Sequence, residues 1–170
     1  GDVYKRQTPP NPSESFAAAA LDVREHLSQA VQRRMMSDVP IGMFLSGGID
    51  STAILAAMTQ HSKRPIKAFT IRFEEDSYDE SSHARTVAEV FGAEHHIETV
   101  RPHVDTFLEP LTTILDEPFA DSSAIPLWYL CRTTRQQVKV ALGGDGGDEV
   151  FAGYRTHFAW KLAKAWRRLP

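Results

Sequence analysis

The feature that most constrains this chain is a short apolar run that breaks into a glycine-rich loop and then into a helix-like run. Ile41 to Leu45 is five mostly apolar residues; "SGGIDS", Ser46 to Ser51, follows, and "AILAAM" comes almost at once. A run this short and this apolar suits a strand buried on both faces of a parallel sheet. The same grammar recurs down the chain. "IKAFTIRF" (Ile66 to Phe73) and "AEHHIETV" (Ala93 to Val100) read as the second and third strands. "QVKVAL" (Gln137 to Leu142) reads as the fourth, and it too breaks into glycines. Helical patterns fill the spaces. The first runs from Ser13 or Ser15 to about Met36, with Phe16, Ala20, Val23, Leu27 and Val31 at three- and four-residue spacing. Others are expected from Asp50 or Ser51 to His61, before Gly92, over Val104 to Leu115, over Ser123 to Thr134, and from about Glu149 onward. A helix followed by repeated strand–helix units predicts an α/β fold, an open parallel sheet with helices on both faces.

Both glycine-rich runs then fall at the carboxyl edge of that sheet, where such folds bind ligands. In "SGGIDS" the glycines let backbone N–H groups converge on a ligand. The next helix adds the positive end of its dipole, and Ser46 and Ser51 add hydroxyls. All of this suits phosphate. There is no Gly-Lys-Ser/Thr and no G-x-G-x-x-G, so the loop is neither a Walker A nor a dinucleotide fingerprint. Asp50 opposes an anion unless a divalent cation lies between them, and Mg²⁺ takes one or two carboxylates together with phosphate oxygens. The competing reading is a bare strand-to-helix turn with Asp50 as N-cap. "LGGDGGDE" brings four glycines with Asp145, Asp148 and Glu149. It does not have EF-hand spacing. Its competing reading is a flexible turn capped by Asp148. Two such loops at one edge would make an acidic, glycine-lined pocket that needs a metal, a cationic substrate group, or both.

Composition narrows the function classes. A chain of 170 residues, 42% apolar and 24% charged, fits one soluble domain. A net charge of −3 gives no reason to expect nucleic-acid binding. No apolar run is long enough to span a membrane. One cysteine, Cys131, cannot form an internal disulfide, which points to a reducing compartment and to the cytoplasm. "GDVYKRQ" resembles translated adapter sequence, so residues 1–13 read as a foreign-looking terminus and linker. Residues 14–170 read as part of a larger domain, because "AWRRLP" stops inside a helical pattern.

"FLSGGIDS" resembles the PP-loop of the ATP pyrophosphatases, which cleave ATP between the α and β phosphates. Together with "LGGDGGDEVFAGY" and "DEPFADSSAIP" (Asp116 to Pro126), it resembles the synthetase domain of glutamine-hydrolysing asparagine synthetases over about residues 14 to 160. The resemblance implies a PP-loop, adenine nucleotide α-hydrolase-like three-layer fold with ATP and Mg²⁺ as cofactors. It implies that the aspartate side chain attacks the α-phosphorus, giving β-aspartyl-AMP and pyrophosphate, and that ammonia then gives asparagine. Ser46, Gly47, Gly48, Asp50 and Ser51 would contact pyrophosphate and metal. Leu45 and Ile71 would meet the adenosine through backbone groups, and Gly143 and Gly144 would line the nucleotide. Asp145 would serve the acyl-adenylate step, and Asp148 would be a second Mg²⁺ ligand. A glutaminase domain in the same parent chain would supply ammonia.

Two positions depart from the family. Many relatives have Ser where Gly143 stands, and some have Glu where Asp145 stands. The family's amide-releasing half and a later lysine-bearing segment are expected outside these residues. Relatives acting on other carboxylates, lactam-forming ones included, share both loops. A different PP-loop ligase and a nucleotide-binding scaffold without turnover are therefore the rival readings. His95 and His96, adjacent on a strand, point to opposite faces and do not read as a metal pair. Cys131 reads as a buried structural residue. Phe151, Tyr154, Phe158, Leu162 and Trp166 read as an apolar stripe on the last helix.

Overall fold

Residues 15–73, 81–101, 110, 112–115, 117 and 121–167 are described by the computed structural model of the chain. In order they form α1 (Phe16–Arg34), β1 (Ile41–Phe44), α2 (Ile49–His61), β2 (Lys67–Phe73), α3 (Ser81–Phe91) and β3 (Glu94–Val100). They continue with α4 (Ala124–Thr134), β4 (Val140–Leu142), α5 (Gly147–Phe151) and α6 (Arg155–Trp166). The four strands make one sheet in the order β3-β2-β1-β4, with every neighbouring pair parallel. Most of the helix expected over Val104 to Leu115 lies outside the described residues, although residues 112–114 are helical. The segment Asp116 to Ala120 lies outside them too, apart from Glu117.

Alternation along β1 sorts the two faces of the sheet. Met43 and Leu45 are buried, and they join Ala68 in a core with Val31 of α1, Leu55 and Met58 of α2, and Ala84 and Ala88 of α3. Each large side chain fully buried there contributes about 1.5–3 kcal/mol. Gly42 and Phe44 face the other way. A Cβ at Gly42 would lie 2.8 Å from the Phe69 ring and 2.9 Å from the Lys67 carbonyl oxygen, so the small residue makes room for Phe69. Phe69 stacks on His96 at 5.1 Å between ring centroids. Phe44 shares a cavity with Cys131, Thr134 and Arg135 at the end of α4, which puts α4 on this second face. Helices therefore cover both faces, as the strand–helix alternation predicts.

The ends of the helices follow local chemistry. Ser15 caps α1, its hydroxyl oxygen accepting from the Ala18 N–H at 3.2 Å. Gly92, with φ of +62°, stops α3, and the Ala93 N–H then returns to the Ala88 carbonyl at 2.9 Å. Three expectations need correction. The α1 stripe packs only through its C-terminal half; Phe16 is 90% exposed and Val23 is exposed as well. Cys131 is exposed rather than buried. The single last helix is two, because Ala152 takes a left-handed φ of +60° and separates α5 from α6. Phe151, Tyr154, Phe158, Leu162 and Trp166 are all exposed on those two helices and the turn between them. No helix among the described residues is long and apolar enough to cross a membrane.

Candidate active site

The strand order fixes where a ligand can enter. From β1 the chain moves one way, through α2 to β2 and through α3 to β3; it then returns through α4 to β4 on the other side of β1. The direction of winding reverses between β1 and β4, and the carboxyl ends of the two strands bracket a crevice. The loop after β1 and the loop after β4 face each other across it. A cleft of 540 Å³ opens there.

The first loop is built around Gly48, which is the N-cap of α2. Asp50 therefore sits inside the first helical turn and is not the cap that a bare turn would need. The Gly48 carbonyl accepts the Thr52 hydroxyl at 2.7 Å and the Ser51 hydroxyl at 3.2 Å. The Ser46 oxygen accepts the Gly48 N–H at 3.2 Å and lies 3.0 Å from the Ser51 oxygen. With Thr52 N–H making the first intrahelical bond to Gly48, the N–H groups of Ile49, Asp50 and Ser51 have no intrahelical partner at the helix start. They are a ready seat for an anion.

The second loop comes down onto that seat. A Cβ at Gly144 would lie 2.9 Å from the Ser51 nitrogen, and one at Gly147 would run into the Asp50 carboxylate. The loops approach this closely only because both positions are glycine. Gly143 packs against Asp145, where a Cβ would stand 2.7 Å from Oδ2. Gly146, in the left-handed region at φ +88°, caps α5. The Asp148 carboxylate lies against Gly153, whose N–H returns to the Asp148 carbonyl at 3.0 Å. Tyr154 closes the rim, its hydroxyl donating to Glu149 Oε1 at 2.6 Å. That bond holds the Glu149 carboxyl below its ordinary range and pushes the Tyr154 phenol up.

One wall of the cleft is apolar, made by Phe44 and Phe69 from the sheet and by Pro126, Leu127 and Leu130 from α4. The other edge carries Asp50, Asp145, Asp148 and Glu149, and no Lys or Arg among the described residues lines the cleft. Among the described residues, the carboxylate edge opposes an anion at the α2 N-terminus unless a cation lies between them. The donors are oxygens throughout, carboxylates and hydroxyls, which is the set a hard divalent cation such as Mg²⁺ takes. Among the described residues no three carboxylates, histidines or cysteines gather into an all-protein cage.

Of the residues singled out in the sequence, Leu45, Ser46, Gly48, Asp50, Ser51, Ile71, Gly143, Gly144, Asp145 and Asp148 all line this cleft. Gly47 does not. With φ of +81°, its Cα faces the start of α3, where a Cβ would stand 2.5 Å from the Ala84 nitrogen and 2.8 Å from His83. Its glycine serves the turn and the packing of α3. Gly47→Ala is therefore expected to cost about 1–3 kcal/mol of stability through backbone strain alone, read as a lower melting temperature. An unchanged melting temperature would count against this placement. Leu45 is held on both backbone groups, its N–H by the Phe69 carbonyl at 2.9 Å and its carbonyl by the Thr70 hydroxyl at 2.6 Å. Sequence reasoning missed the α4 wall and the Glu149–Tyr154 pair. Tyr154 read as one member of an apolar stripe, and its place five residues after Glu149, across the break at Ala152, was the only signal available.

Comparison with known proteins gives a consistent picture. Residues 22–170 match the family described as Asparagine synthase. A putative glutamine-hydrolysing asparagine synthetase of Mycobacterium bovis is 44% identical over 134 residues, covering 77% of this chain and 20% of the relative. Glutamine-hydrolysing asparagine synthetase 1 of Bacillus subtilis is 34% identical over 152 residues, covering 88% of this chain and 24% of the relative. The chain thus spans about a fifth to a quarter of the length of these curated relatives. Among solved structures, the glutamine-dependent NAD+ synthetase of Acinetobacter baumannii in complex with ADP superposes with a TM-score of 0.56 at 21% identity, covering 86% of this chain and 29% of that one. At that identity the likeness speaks for the fold.

Proposed function

This chain belongs to the asparagine synthase family, and on that premise we propose that it forms the ATP-using half of an amide-forming ligase. In this reading the aspartate side-chain carboxylate attacks the α-phosphorus of ATP, and pyrophosphate leaves. Ammonia then displaces AMP from β-aspartyl-AMP to give asparagine. The observation that carries the reading is the meeting of the two loops, with Asp50 against Gly147 and Gly144 over the Ser51 N–H. It supports a site that takes a polyphosphate and a divalent cation together. The NAD+ synthetase of Acinetobacter baumannii, a protein of the same fold, is in complex with ADP, which adds support for an adenine nucleotide as a ligand.

The residues have distinct tasks. Ser46, Gly48 and Ser51, with the N–H groups at the start of α2, receive the pyrophosphate. Asp50 and Asp148 would hold Mg²⁺, which when bound neutralises charge on the leaving group. Holding that charge where it develops is the largest lever such a site has. The apolar wall suits the adenine, with Leu45 and Ile71 at the strand ends and Gly143 and Gly144 beside the nucleotide. Asp145 serves the acyl-adenylate step. Ammonia would come from glutamine, through a glutaminase domain of the same parent chain. A lone cysteine and ATP as co-substrate fit the cytoplasm.

ATP–pyrophosphate exchange in the full-length protein tests this. Exchange is expected to require both Mg²⁺ and aspartate. Exchange that proceeds equally well without aspartate would move the assignment to a ligase for another carboxylate. No exchange at all, from folded protein given aspartate and other carboxylates, would favour a nucleotide-binding scaffold.

A further inference from the structure

The carbonyl of Leu45 is the last backbone group before the Ser46–Gly48 turn. It accepts a hydrogen bond from a side chain, the Thr70 hydroxyl, at 2.6 Å. Thr70 is 6% exposed and Leu45 2%, so water does not compete for this bond. A hydroxyl has one proton. Because that proton goes to the Leu45 oxygen, the contact at 2.8 Å between Thr70 Oγ1 and His95 Nε2 has His95 as its donor. The result is a three-membered relay across the sheet, from the His95 Nε2–H of β3 to the Thr70 hydroxyl of β2 and on to the Leu45 carbonyl at the end of β1.

The relay lies where the sheet pairing stops. The last β1–β2 register pair is Phe44 with Phe69, and the Leu45 N–H closes it on the Phe69 carbonyl at 2.9 Å. Beyond that point nothing regular fixes the direction in which the chain leaves β1. The Thr70 hydroxyl supplies the second tie on Leu45, immediately before Ser46 to Gly48 turns toward the cleft.

We propose that Thr70 is a positioning residue for the nucleotide loop, with His95 as the group that orients it. Thr70 also lines the cleft; the role assigned to its hydroxyl is exerted through the Leu45 carbonyl, and the inference rests on the reading of this cleft as an ATP site. Around His95 stand Arg85 and Glu89 of α3 and its neighbour His96. Burial, then Arg85, then His96 lower its pKa and so favour the neutral ring, and the Thr70 contact puts the proton on Nε2. Protonation in acid leaves the Nε2–H in place, so the tie survives the titration of His95.

The experiment compares Thr70→Val, Thr70→Ser and His95→Leu in the full-length protein. It measures binding of Mg-ATP, amide exchange over residues 45–49, and the ¹⁵N signals of the His95 ring. Thr70→Val keeps shape and removes the hydroxyl. It is expected to weaken Mg-ATP about tenfold, the scale of one buried hydrogen bond. It should also speed amide exchange at the loop about tenfold and release His95 from the single Nε2–H tautomer. Thr70→Ser should restore all three, and His95→Leu should give a smaller change in the same direction. Loop exchange and Mg-ATP affinity both at wild-type values in Thr70→Val would overturn the proposal. If that variant does not fold, wild-type values in His95→Leu would overturn it equally. Faster loop exchange in a protein whose wild type binds no Mg-ATP would keep the tether and remove the nucleotide reading instead.

Discussion

Asp145→Ala is expected to abolish aspartate-dependent pyrophosphate release in the full-length enzyme while Mg-ATP still binds within a few-fold of wild type. The asymmetry follows from position. In the proposed site the α2 N-terminus, Ser46, Ser51 and Asp50 are the seat for phosphate and metal, and Asp145 is not part of that seat. It stands on the turn between Gly144 and Gly146, on the opposite lip of the cleft, with Gly143 rather than a larger side chain beside its Oδ2. A carboxylate is acceptor-only, so it can hold the ammonium of an amino-acid substrate and turn that substrate's other carboxylate toward the α-phosphorus. Orientation of this kind is worth roughly 10²-fold or more when a reacting group is misplaced by about an ångström. Asp145→Glu lengthens the side chain by one methylene and keeps the charge, so it should retain measurable turnover. Mg-ATP binding and pyrophosphate release, measured separately on both variants, decide the matter. Aspartate-dependent release from Asp145→Ala at the wild-type rate would remove Asp145 from the chemistry.

What could be read from the sequence was whatever burial and backbone geometry write into residue types. β1 was legible because a strand covered on both faces must be apolar throughout, and Ile41 to Phe44 is. The site edge was legible because a loop can press onto the start of α2 only where that loop lacks side chains, and the glycines of "GGDGGDE" announce that. The break at Ala152 was not legible, since alanine is the best helix former and its left-handed φ is set by the Asp148–Gly153 turn around it. Gly47 was legible as a glycine, but its reason for being one is α3, an element distant in sequence. The apolar positions of α1 mark a face made to be covered, and among the described residues only its Val31 end meets the core. Periodicity reports which side of a helix is apolar and says nothing of how much of that side finds a partner. The Thr70–His95 relay left no pattern at all, because threonine and histidine on neighbouring strands are ordinary residues until register brings them together.

Asp50→Asn is expected to lower Mg-ATP use by about 10²-fold or more and to leave the fold intact. Two effects compete at this position, and their sizes separate them. Asp50 is an acidic residue in the first turn of α2, where a negative charge stabilises a helix by about 0.3–1 kcal/mol. If that were its whole purpose, Asn would cost only a small drop in melting temperature. As a metal ligand facing a polyphosphate, the same carboxylate would be worth about 3–4 kcal/mol at the reacting group. Asn is close to isosteric and can keep the contact with Gly147, so packing is not the variable. The sign of the effect gives a sharper test than its size. Without a divalent cation, Asp50 is a like charge beside the phosphates, and Asp50→Asn should then strengthen binding of metal-free ATP. With Mg²⁺ present, the same change should weaken it. Titrations of ATP with Mg²⁺ and with a chelator, run on both proteins, read the two signs directly. A variant that binds more weakly by the same factor in both conditions would identify Asp50 as a residue of the helix turn and not of the metal.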